Sequence, residues 1–133
     1  MGQSEIDKSY GRCCANAGFL DRFYEIFLSS HPSIPALFAH TDFAKQKALL
    51  RSGIAMVVMH AQGDVFGTRA LNKIAESHSK SNLDINPCFY PLWIDSLMQA
   101  IKECDPELTP ALESAWRRVL EAGALYITSR HNA

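Results

Sequence analysis

Apolar residues recur every three or four positions along nearly the whole chain, the period of an amphipathic α-helix. Phe19, Leu20, Phe23, Tyr24, Phe27 and Leu28 form the first stripe. It ends before His31-Pro32, because a proline pushes the residue ahead of it out of the helical region. Residues 33–38 carry a second proline and predict only a turn or two. Thr41 and Asp42 are placed to cap a long helix whose inward face reads Phe43, Gln46, Leu50, Gly53, Ile54 and Val57. Gly63 and Gly67 predict a loop, and a helix follows from about Thr68 to His78. Asn86-Pro87 predicts a cap with proline at the first helical position, launching Phe89, Tyr90, Trp93, Ile94, Leu97, Met98 and Ile101. Asp105-Pro106 and then Thr109-Pro110 announce the last helix, with Leu112, Ala115, Trp116, Val119, Leu120, Gly123 and Ile127 inward. Alternation is nowhere long enough for a strand. The expectation is one all-α domain over residues 1–133, with about seven helices.

Three polar residues interrupt the apolar faces, and each needs a partner. His78 ends the stripe Leu71, Ile74, Ala75, and an imidazole aimed with that face toward the interior must be satisfied there. Tyr24 stands in the middle of an aromatic stripe, and Gln46 lies one turn before Leu50. Taken singly, these read as a structural histidine, a core tyrosine bonded to a backbone carbonyl, and a residue just outside the core. Taken together they line one cavity from two sides. With no second histidine so placed, the combination suggests a single iron–nitrogen bond to a buried haem. Trp93 and Trp116 read as core anchors. His31, His40, His60 and His131 read as surface or loop residues, with His40 near enough in sequence to reach the cavity.

Composition narrows the class. The chain has 133 residues, 47% of them hydrophobic and 20% charged, enough for a real core without disulfides or structural metals. A formal charge of -1 favours neither nucleic acid nor an anionic membrane surface as partner. The polar start, MGQSEIDKSYGR, lacks the apolar core of a signal peptide, and Ile6 replaces the Ser or Thr of a myristoylation site. The apolar run at residues 54–60 is too short to span a bilayer, so a cytoplasmic protein is expected. Cys13 and Cys14 are adjacent while Cys88 and Cys104 are isolated. Without a CxxC the expectation is four buried or half-buried thiols in a reducing compartment. There is no CxxCH either, so a haem would be held without covalent links.

The segments FLDRFYEIFLSSHPSIPALF, KQKALL, LNKIAESH, INPCFYPLWIDSL and ALESAWRRVLEAG occur in the order and approximate spacing of a known family. The chain resembles the globins, especially bacterial single-domain globins and the haem domain of flavohaemoglobins. That resemblance implies the globin fold, a three-on-three helical sandwich with no clear D helix. It also implies non-covalent haem b (iron protoporphyrin IX) and a diatomic gas ligand: oxygen, carbon monoxide or nitric oxide.

Roles carry over position by position. His78 matches the proximal histidine that gives iron its fifth ligand. Phe38 matches the phenylalanine packed flat on the haem. Tyr24 matches a distal tyrosine able to donate to bound oxygen, Gln46 the distal polar position, and Leu50 the apolar wall one turn on. Ile74 and Ile85 match further haem contacts, and Tyr90 a tyrosine that orients the proximal imidazole. Two departures stand out. The proximal glutamate of flavohaemoglobins would fall at about Ala133, and the segment between His78 and Tyr90 is slightly longer than in that family.

Reversible oxygen binding is therefore the expected function. The alternatives are nitric oxide dioxygenation or peroxidase-like turnover with an external reductase, and a gas-sensing or interaction role. The resemblance covers a haem domain alone, so a self-sufficient nitric oxide dioxygenase is not expected. Lys45, Lys47 and Arg51 read either as a solvated helix face or as partners for haem propionates. Exposed faces of the last two helices offer a route to a homodimer.

Overall fold

A computed structural model describes residues 3–79 and 85–130. Seven α-helices follow one another: α1 (Gln3–Ala15), α2 (Phe19–Ser29), α3 (Ile34–Leu37), α4 (Phe43–Ala61), α5 (Val65–His78), α6 (Phe89–Cys104) and α7 (Pro110–Thr128). Among the described residues there is no strand, and no helix stands between α3 and α4. No helix among them is long and apolar enough to cross a membrane. One hydrophobic cluster draws on all seven helices, so the periodic stripes converge on a single core.

Helix starts follow local chemistry. The first turn of a helix leaves backbone N–H groups without partners, and a short polar side chain satisfies them. Asp42 accepts from the N–H groups of Ala44 and Lys45, Asp64 from Phe66, and Thr109 from Leu112, with Pro110 in the first turn. At α6 the structure departs from expectation. Pro87 lies in a turn before the helix, Asn86 Oδ1 accepts from the Cys88 N–H, and α6 begins at Phe89. The sequence pattern also named no stripe for α1, whose exposed face is polar. This helix is held by tertiary contact with α4, α6 and α7.

The α4–α5 corner differs most from the pattern of the sequence. Gly63, at φ +80°, makes the turn that ends α4, a conformation that suits glycine. Gly67, expected in a loop, lies buried inside α5, which begins at Val65 rather than near Thr68. A Cβ on Gly67 would stand 2.6 Å from the His60 backbone nitrogen, so its missing side chain lets α5 lie directly on α4. His60, expected at the surface, is half-buried here. Its Nδ1 is 2.8 Å from Thr68 Oγ1, and its ring centroid is 4.9 Å from that of Tyr126 on α7. His131 lies outside the described residues.

α1 is tied down by a buried polar network. Asp105, between α6 and α7, is 2% exposed and accepts from Ser9 Oγ and from Arg12. Trp116 Nε1 donates to Ser9 Oγ at 2.9 Å from a fully buried ring. Burial alone would raise the Asp105 carboxyl, but hydrogen bonds from Arg12, Ser9 and the Glu107 N–H outweigh it and hold the group below its ordinary value. A depressed carboxylate contributes stability that is complete above its unfolded pKa, about 3.9, and is lost as pH falls through the lower folded value. Asp105→Ala should cost about 2 kcal/mol, chiefly by leaving the buried Ser9 hydroxyl without its acceptor. Asp105→Asn should flatten the acid limb of urea melts taken at successive pH values. An acid limb identical to the wild type's would show that Asp105 does not drive it.

Candidate functional site

His78 is the last residue of α5. Its Nδ1 lies 2.8 Å from the carbonyl oxygen of Ile74, one turn back on the same helix. A carbonyl only accepts, so Nδ1 carries the proton and Nε2 keeps its lone pair. Among the described residues nothing hydrogen-bonds Nε2. Desolvation holds the imidazole below its ordinary pKa, outweighing the Ile74 carbonyl that favours the charged ring, so the side chain is neutral at neutral pH. Ser77 adds a contact that sequence reading missed. Its Oγ donates to the same Ile74 carbonyl and stands 3.0 Å from His78 Nδ1. No periodic signal marks it, because it acts only as the neighbour of His78.

Around this ring lie the other residues expected on its side. The Ile85 N–H donates to the His78 carbonyl at 3.1 Å. Tyr90, one residue into α6, has its ring centroid 6.5 Å from the imidazole. Burial pushes the Tyr90 hydroxyl up to about 12, so it remains protonated across the physiological range. Ile74 and Tyr90 are half-buried and pack on the same core cluster as Leu50.

The second group gathers on α2, α3 and α4. Tyr24 is 5% exposed and sits among rings: Phe23 at 4.9 Å, Phe43 at 5.4 Å and Phe38 at 5.9 Å, all edge-on. Burial raises its hydroxyl, and the neighbouring Gln46 side chain pulls the other way, which puts these two polar groups side by side. The Gln46 side chain is thus the polar partner within reach of this buried hydroxyl, as a buried hydroxyl ordinarily requires. Leu50 is buried one turn beyond Gln46. Phe43 was expected only on the inward face of α4, yet it belongs to this aromatic group. Its position three residues ahead of Gln46 was the available sign.

Other expectations need correction. Lys47 pairs with Asp21 at 2.7 Å, and the Arg51 carbonyl accepts from the Tyr10 hydroxyl. Both side chains border a cleft with Cys14, Asn16 and Phe19, so they face the α1–α2 corner and not the Tyr24 side of α4. Lys45 and His40 are exposed, which agrees with a solvated helix face and a surface position. Cys88 is exposed as well, while Cys13 is buried and Cys14 and Cys104 are half-buried; all four are free thiols.

The fold has a counterpart among known proteins. The family model described as Globin matches residues 21–125. The chain belongs to the globin family. A crystal structure of a Pseudomonas aeruginosa PAO1 protein, described as structurally highly homologous to a human hemoglobin, superposes on this globin with a TM-score of 0.92. The two are 43% identical, and the alignment covers 98% of each chain. No curated protein matches the sequence. The likeness is to a bacterial globin and carries nothing about flavohaemoglobins in particular.

Haem is the cofactor of this family, and the globin's own residues fit it. A neutral imidazole with one nitrogen committed and the other's lone pair without a partner among the described residues is a metal ligand in form. A buried hydroxyl beside an amide offers two polar groups to a small ligand. Half-buried Phe38, Ile74, Ile85 and Tyr90 supply apolar surface suited to a porphyrin plane.

Proposed function

We propose that this globin holds haem b without covalent links and binds oxygen reversibly, with carbon monoxide and nitric oxide as further ligands. The observation that carries the reading is His78: its Nδ1–H is spent on Ile74, which leaves the Nε2 lone pair to ligate iron. Haem, when bound, supplies an open coordination position for a diatomic gas. Phe38, Leu50, Ile74, Ile85 and Tyr90 would enclose a porphyrin and keep water from it. Tyr90 packs beside the imidazole and limits its rotation. Tyr24 and Gln46 offer an O–H and an N–H to the gas. Such donors would favour a ligand that becomes polar, such as oxygen, over one that stays weakly polar, such as carbon monoxide. Free thiols fit a cytoplasmic protein.

The test is the absorption spectrum of the reduced, haem-loaded chain with and without carbon monoxide. A five-coordinate ferrous form that shifts on adding the gas is expected. A six-coordinate form with no added ligand would mean that a side chain fills the gas position, and the distal assignment would fail. In the same preparation, Tyr24→Phe should speed oxygen dissociation by about tenfold, the worth of one hydrogen bond to a charged acceptor. Stopped-flow displacement of oxygen by carbon monoxide measures it, and an unchanged rate would remove Tyr24 from the distal site.

A further inference from the structure

Phe43 is the inward residue of α4 that the proposed site leaves without a role. It is the first residue of the helix, directly after the cap Asp42 and one turn ahead of Gln46. Its ring meets Tyr24 edge-on, with centroids 5.4 Å apart and planes at 76°. It also stacks on Phe38 at 6.0 Å and 30°. The Gln46 side chain is the polar group beside the Tyr24 hydroxyl, and the rings packed around Tyr24 hold the ring that carries that hydroxyl. Of the three rings around Tyr24, Phe23 shares its helix and moves with it. Phe38, at the end of α3, faces the porphyrin in the reading above. Phe43 is the ring that ties the Tyr24 ring to the helix that carries Gln46 and Leu50.

We propose that Phe43 is a positioning residue: its edge contact with Tyr24 fixes where the tyrosine hydroxyl donates, and so sets how strongly the site prefers oxygen over carbon monoxide. The inference rests on the haem reading. A donor serves a polar ligand only when held within a fraction of an ångström of its productive place, and a loosely held one forfeits most of its value. Edge-on aromatic pairs are directional because the positive ring edge meets a negative face. Leucine at position 43 would keep apolar bulk yet lose that direction, whereas tyrosine would keep it.

Three variants and two measurements test this. Phe43→Leu should raise the oxygen dissociation rate by about fivefold, the factor that one aromatic edge contact is worth. Carbon monoxide dissociation should stay within about twofold of wild type, because that ligand draws little on the donor. Phe43→Tyr should retain slow oxygen release. In a Tyr24→Phe background, Phe43→Leu should add nothing, since the two residues act as one unit. Oxygen and carbon monoxide rates rising together would make Phe43 a steric gate or a general packing residue and overturn the proposal. So would an undiminished effect in the Tyr24→Phe background. The second measurement needs no haem: NMR line shapes of the Tyr24 ring should report faster flipping in Phe43→Leu than in wild type. An unchanged flip rate overturns the restraint even if the chain takes up no haem, which separates this failure from failure of the haem reading.

Discussion

A His78→Ala variant is expected to keep its helix content and lose its grip on haem. Alanine is the best helix former, and His78 is the last residue of α5, so little backbone structure depends on the imidazole. The hydrogen bond to Ile74 is worth only about 1 kcal/mol to the fold. Haem affinity, by contrast, should fall by more than the roughly 10–100-fold that loss of a mere outer partner of a ligand costs. Titration of haem-free protein with haemin, followed in the Soret region, measures the difference. Free imidazole should restore part of the wild-type spectrum by filling the space the side chain left. If the variant bound haem as tightly as wild type with the same ferrous spectrum, another group would be the ligand.

Gly67→Ala should destabilise the protein by about 3 kcal/mol, against the usual trend for helices. Inside an exposed helix the same change gains about 1 kcal/mol, because glycine loses more backbone freedom on folding. Here the new methyl would meet the His60 nitrogen at 2.6 Å, Met59 Cβ at 2.7 Å and the Met59 carbonyl carbon at 2.9 Å. Two of those atoms are backbone and cannot swing away, so α5 must lift off α4. His78 stands eleven residues beyond Gly67, about 16 Å along the axis at 1.5 Å per residue. A small tilt at the corner is therefore magnified at the ligand, and haem affinity should weaken together with stability. Gly53→Ala is the control. It lies within α4 with no atom within 4 Å of the added Cβ, and it should be neutral or stabilising. A thermal melt in which Gly67→Ala matches Gly53→Ala would show that the helices have room the geometry denies.

Both predictions depend on features that differ in how far the chain announced them. His78, Tyr24 and Gln46 stood out as site candidates because each puts a polar group on an otherwise apolar helix face. Gly67 did not, since glycine in sequence signals a turn as readily as a close approach between helices. Asp105 before Pro106 carried the local signature of a helix boundary. Its larger role, holding Arg12 and Ser9 across some ninety residues of chain, has no local mark.

The same division runs through the whole molecule. Periodicity and caps determined which segments are helical and which face of each turns inward, because a helix repeats its own geometry every 3.6 residues and the side chains must follow it. Tertiary structure alone decided which inward faces meet and at what distance. That is how Phe43 came to rest against Tyr24, and how Lys47 and Arg51 came to face the α1–α2 corner. It also decided that the polar first segment would be a helix, since its stability comes from neighbours far away in the chain. A one-dimensional pattern records the direction of each side chain from its own axis; the spacing between axes depends on close packing among many elements at once.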